Sequence, residues 1–388
     1  MIDQTVSRDS IVFHAVGNVG PRRVEYREPI ESLFGMAYKR IKEADISLCN
    51  LEMLFTTGDS LQYRDHVTWD SKADPGNARA IALAGFDVIS HASNRCFDYG
   101  PDALLESIDV LRGNGMQVIG AGKDIAEARK PAILERNGIR AGLLGYNCVL
   151  PDEYEAREGK PGCAPIRVST YFQSQGYQPG TPPKVITIAR ESDVADMEED
   201  IRKLRGQVDV LALSVHWGLS AVPGGVLEYQ PAIGRRAIEA GADLIFGSHG
   251  STIRGVEVYK KGFIFYCLGT FAQDRAHSFK PAAIGTRTRD LPGSDSKADK
   301  EPESGRNPGA RNRRYTMMAR ADVTRNGIRK VSFFPAWVND RSEPEFLSRK
   351  DPRFQEVLDY VEPWCKSLGT RVVVEGDEVV VFDTSTKS

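Results

Sequence analysis

Five times along this chain an apolar, β-branched run stops at a short polar string: IVFHAV at GNVGPRR, DISLC at NLE, DVISH at ASNRCFDYG, VLALSV at HWG, and DLIF at GSHGS. Between these runs, REPIESLFGMAYKRIKEA, PDALLESIDVLRGNG, DVADMEEDIRKLRGQ and YQPAIGRRAIEAGA repeat apolar residues three and four positions apart, the helical period. Short strands alternating with helices make an α/β chain, and ligands of α/β sheets gather where strands end and loops begin. One such junction means little, because Asn, Glu and His are common in turns and at surfaces. Five in the same structural position define a candidate site at one sheet edge.

The remaining features bound what that site serves. At 388 residues the chain can bury one large core or two smaller ones. Its net charge of -2, with no basic stretch interleaved with aromatics, argues against nucleic acid as a partner. No run reaches the roughly 18 apolar residues of a membrane span, and MIDQTVSRDS lacks the pattern of a leader, so the expected location is cytoplasmic. The six cysteines form no CxxC pair, which points to buried thiols rather than a zinc ribbon or a disulfide framework. GVEVYKKGFIFYCLG reads as a hairpin turning at Lys260, Lys261 and Gly262. One domain is expected over residues 1–340, with flexible insertions at about 147–184 and 286–314, both rich in Gly, Pro and polar residues. Residues 341–388 read as a helix and hairpin packed on it.

The strings GNV, NLE, ASNRCFDYG, HWG, GSHGS and YCLGTF, in that order and spacing, resemble the CapA family. These are proteins named for poly-γ-glutamate capsule synthesis, with a core similar to the calcineurin-like metallophosphoesterases. AGFDVIS, GAGKDIAEARKPAI, EAGADLIFGSH and GVEVYKKGFIFY add to the likeness, which runs from about Ile11 to Phe271 and more weakly to Trp337. The resemblance implies an α/β fold, a calcineurin-like αββα sandwich of two mixed β-sheets flanked by helices. By motif position it implies Asn18, Glu52, Asn94, His216 and His249 as metal ligands. Read from the residues themselves, His216, His249, Asp98 and His91, at or beside predicted strand ends, are candidate acid–base groups, and Arg95, Trp217, Ser251 and Arg22 are candidate substrate-binding residues.

Four positions depart from the family pattern: Asn18 stands where that pattern has Asp, Arg95 and Ser251 where it has His, and Thr270 where it has Asn. A two-ion centre needs anionic ligands against four positive charges, and Glu52 is the one definite anion of this set. The expectation is therefore a single divalent ion, Mn, Mg or Ca, or none. Arg95 has no lone pair to donate, but its planar fork suits a carboxylate or phosphate, or could pair with Glu52 in place of an ion. Cys96 beside it is a lesser candidate nucleophile, and His14, inside a strand, is expected in the core. Three readings stand at this point. The first is a CapA-like enzyme, a hydrolase or transferase acting on an anionic peptide, γ-glutamyl or phosphoester substrate. The second is a peptide Cα epimerase on the same fold. The third is a binding protein in which Arg95 replaces metal charge.

Overall fold

The first strand, Ser10–Gly20, sets the architecture because its side chains feed two different cores. Ile11, Phe13 and Ala15 point into one and Val16 into the other, the period of two expected of a buried strand. Val19 also joins the second core, so the alternation has changed parity. Pairing with the strand Ile46–Leu51 shifts register between Ala15 and Asn18, and pairing with Thr270–Gln273 shifts between Asn18 and Val19. Asn18 thus occupies an irregularity of the kind that re-aims a side chain beside a site.

The computed structural model describes residues 9–22, 33–62, 71–174, 176, 183–219, 225–273 and 311–386. Ten strands form one mixed sheet. Its main path runs from Val373–Glu375 through Glu378–Asp383, Gly327–Val338, Tyr315–Thr324, Ser10–Gly20, Ile46–Leu51 and Val88–Ser90 to Gln117–Ile119. Six strands form the second sheet, in the order Val256–Tyr259, Gly262–Phe265, Leu244–His249, Val210–Trp217, Ile139–Asn147 and Ala132–Arg136. The sheets face each other across a shared apolar layer in which Phe13 stacks on Phe246 with ring centroids 5.5 Å apart. Each fully buried side chain of this kind contributes roughly 1.5–3 kcal/mol.

Helices cover both outer faces. Ala37–Ile41 and Ala78–Ala84 pack on the first sheet, while Glu191–Arg205 and Tyr229–Ala240 place Val194, Met197, Ile201, Leu204, Ile233 and Ala237 against the second. The result is the αββα sandwich of two mixed sheets. The hairpin expected at Lys260–Gly262 is present as Val256–Tyr259 paired antiparallel with Gly262–Phe265.

Two expectations about insertions meet different outcomes. The first part of 147–184 is packed, with Tyr154, Ala156, Cys163, Ala164 and Ile166 buried, whereas Val168–Gln173, paired with Lys184–Ala189, is a largely exposed ribbon. The apolar residues scattered through the Gly- and Pro-rich text are what anchor the packed part. The insertion expected at 286–314 lies outside the described residues except for its last four. At the C-terminal end, the helix Pro352–Ser367 buries Phe354, Val357, Val361 and Cys365 in the shared core, and the hairpin after it extends the first sheet.

Candidate functional site

Glu52 leaves the strand Ile46–Leu51 with its N–H donating to the Val19 carbonyl at 3.1 Å, which carries it to the edge where the two sheets meet. Across the gap, Val210–Trp217 and Leu244–His249 run parallel in a register that pairs His216 with Ser248 and Trp217 with His249. The two imidazoles therefore meet: His249 Nδ1 lies 3.1 Å from His216 Nε2, and the ring centroids are 4.8 Å apart. Glu52, His216 and His249 are buried, and their ligating atoms all lie within 4.8 Å of one another. His249 holds this position at φ +83°, a left-handed backbone that costs a non-glycine residue on the order of 1–2 kcal/mol. Strain of this sort persists where the surroundings over-determine it, and it clusters at functional sites.

A polar layer orients the pair. Asn94 Oδ1 lies 3.1 Å from His216 Nε2, and His216 Nδ1 faces Asn50 Nδ2 at 3.2 Å and Ser248 Oγ at 3.1 Å. Gln273 Nε2 donates to Glu52 Oε2 at 3.3 Å. Burial, followed by the nearby His249 and Arg95, holds the His216 imidazole well below its usual range, so the ring stays neutral and keeps a lone pair. A carboxylate, two imidazoles and the Asn94 amide oxygen fit one divalent ion.

Asn18, expected as a further ligand, does not fit that role. Its Oδ1 already accepts from the His249 backbone N–H at 3.2 Å and from Asn50 Nδ2 at 3.1 Å. These two donors occupy both lone pairs of the carbonyl oxygen. The donor set therefore does not extend to a second ion on Asn18.

The other expected residues divide. Arg95 stays at the site's rim, its side chain 15% exposed, with Nη1 3.5 Å from Asp98 Oδ2. Asp98 reaches neither imidazole: it is fully buried, accepts from the Ser71 and Tyr154 hydroxyls, and has its carboxyl pKa raised by burial. That makes it the anchor of the Arg95 turn rather than an orienter of histidine. His91 turns towards the helix Gly100–Gly113, where its Nε2 lies 2.9 Å from Ser107 Oγ, and it is fully buried. Trp217 also turns inward, its Nε1 donating to the Tyr266 carbonyl at 2.8 Å, because adjacent strand residues face opposite sides. Ser251 is buried two residues beyond His249, and half-buried Arg22 offers its carbonyl to Asn77 Nδ2 at 2.9 Å. Burial pushes the Cys96 thiol well above its usual range, so it is no ready thiolate. Sequence patterning misses Asn50, Ser248 and Gln273; the first two lie inside NLE and GSHGS, and nothing marks Gln273.

Two mixed sheets between helices, with a carboxylate and paired imidazoles at the edge where strands end, define a protein of the calcineurin-like αββα class. Within that class the chain belongs to the bacterial capsule synthesis protein family PGA_cap, whose family model matches residues 9–275. It is similar to the capsule biosynthesis protein CapA of Bacillus anthracis, 26% identical over 212 residues covering 55% of this chain and 44% of that one. It is also similar to a "probable polyglutamine synthesis accessory protein" of Mycobacterium tuberculosis, 27% identical over 239 residues covering 59% and 56% of the two chains. The chain spans about half the length of the curated relatives it matches first. Among solved structures, a hypothetical protein from Thermus thermophilus aligns over 86% of this chain and 96% of its own, at 13% identity and a TM-score of 0.40. Among the described residues no helix is long and apolar enough to cross a membrane.

Proposed function

We propose that this chain is a one-ion enzyme of capsule or polyglutamate metabolism that acts on an anionic peptide or γ-glutamyl substrate. Glu52, His216 and His249, with Asn94 beside them, would hold one divalent ion, and with two imidazoles in the set Mn fits better than Mg or Ca. Such an ion supplies a Lewis acid able to polarise an amide carbonyl or phosphoryl oxygen. The observation that carries the reading is the buried Glu52–His216–His249 cluster, kept together at the expense of a left-handed His249. Arg95, braced by Asp98 and partly exposed, presents a fixed positive charge to a substrate carboxylate or phosphate. The neutral His216 remains able to bind through a lone pair at ordinary pH. The printed names of the relatives, which speak of capsule and polyglutamine synthesis, support a role in making such a polymer.

The epimerase reading gains no support, since acid and base on opposite faces of a Cα are poorly served by two imidazoles whose nitrogens lie 3.1 Å apart. The test is metal analysis of protein purified without chelator, paired with turnover of γ-glutamyl peptides and a phosphoester by wild type, E52Q and R95Q. Wild type should carry about one ion per chain, consistent with one mixed imidazole–carboxylate site. E52Q should lose ion and turnover together, while R95Q should keep the ion and raise KM for anionic substrates roughly tenfold, as expected for a lost charge-assisted pair. Wild type without ion and without turnover would instead leave the binding-protein reading.

A further inference from the structure

The orientation of the Asn18 amide is not a free choice. The His249 backbone N–H that points at it, 3.2 Å away, can only donate, so the atom facing it must be the oxygen. Turning the amide over would set an NH2 against an N–H. The Asn50 amide nitrogen, 3.1 Å from the same oxygen, takes the second lone pair. Asn18 is left with Nδ2, which is fully buried and meets no acceptor among the described residues. A buried N–H without an acceptor is costly, and an oxygen ligand would remove the cost.

We infer that Asn18 makes its half of the site an anion receiver, donating Nδ2–H to a carboxylate or phosphate oxygen of the bound molecule while rejecting a second cation. This rests on the one-ion reading above and deepens it: the cluster side takes a cation and the Asn18 side takes the oxygen of the substrate. Arg95, whose charge is felt at His216, adds to the same preference from the rim. The chemistry selects oxyanions with an exposed lone pair, and excludes ligands that approach Asn18 with a donor.

Asn18→Asp is the sharpest variant, because one carboxylate oxygen keeps both accepting roles while the other atom changes from donor to charged acceptor. Inorganic phosphate and L-glutamate would be titrated calorimetrically into chelator-treated wild type and N18D, followed by Mn²⁺. Expected are anion binding weakened at least tenfold in N18D, and Mn²⁺ stoichiometry rising from one to two. Whichever of phosphate and glutamate shows the larger loss identifies the source of the oxygen. Equal anion affinity in the two proteins, or two ions bound by wild type, would overturn the inference. Should N18D not fold, selectively 15N-asparagine-labelled wild type decides: the Asn18 side-chain NH2 resonance should move on adding the anion, and a stationary resonance overturns the proposal. The anion arm uses metal-free protein, so a failure of the one-ion reading, seen as no Mn²⁺ bound by wild type, is recorded separately.

Discussion

At His249 a backbone preference and a side-chain requirement oppose each other. The residue adopts φ +83°, where glycine is at ease and a Cβ is not, yet its ring completes the cluster with Glu52 and His216. Replacing it separates the two terms. His249→Gly should be more stable than His249→Ala by about 1 kcal/mol, since both lose the ring but only alanine keeps the strain. Urea denaturation of the two variants measures the difference, and both should lose ion binding. Single-residue legibility follows the same division between side chain and backbone. Five strand-end junctions mark the edge, and the family resemblance singles out Glu52, His216 and His249 within them. His91 and Trp217 flank those positions in sequence but face away, His91 to Ser107 and Trp217 to Tyr266. A one-residue step in an extended chain reverses the face, and text without strand phase does not record which way.

Elements converge on the site because glycines let backbones touch where side chains would not fit. At Gly17 an added Cβ would lie 1.9 Å from the Gly269 carbonyl oxygen, and at Gly247 2.2 Å from the Tyr266 oxygen and 2.4 Å from Trp217 Nε1. Gly247→Ala should therefore destabilise by about 3 kcal/mol, the upper range for overpacking in a rigid core, because two of its three nearest contacts are backbone atoms. A drop in the denaturation midpoint without a change in slope would confirm it; an unchanged midpoint would show that the strands separate freely. The alternation of strands and helices was readable from apolar periodicity. The division of the strands between two sheets was not, since register and sheet membership depend on long-range pairing such as Ser10–Gly20 against Tyr315–Thr324. Order in 147–173 was hidden for another reason: a handful of buried residues, Tyr154 and Ile166 among them, outweigh a loop-like composition.

Over the whole molecule, the buried histidines outside the site tie stability to pH. Burial, with Arg320 nearby, pushes His14 down to about 3, and burial pushes His91 down to about 4. In the unfolded chain both would titrate near 6.5. Unfolded protein thus binds the protons first, so the stability these groups contribute is complete above about pH 6.5 and falls as pH drops towards 4. The expected loss is roughly 1 kcal/mol per pH unit for each histidine in that window. Urea denaturation between pH 5 and pH 7 tests this, and because buried His216 is depressed as well, His91→Asn should remove roughly a third of the slope; an unchanged slope would mean that His91 takes up its proton in the folded state.

Asn18 meets His249 across 231 residues and Glu52 meets Gln273 across 221, so no contiguous part of the chain holds the site. During synthesis the amino-terminal half emerges with its Glu52 and Asn94 in place in sequence but with neither imidazole to meet. At roughly 5–20 residues per second, about 10 to 50 seconds separate the appearance of Asn18 from that of its partner. The strand Tyr315–Thr324, which seats the first strand in its sheet, arrives later still. A nascent chain therefore cannot bring Glu52, His216 and His249 together before its distal strands arrive, so the cluster forms only late in synthesis.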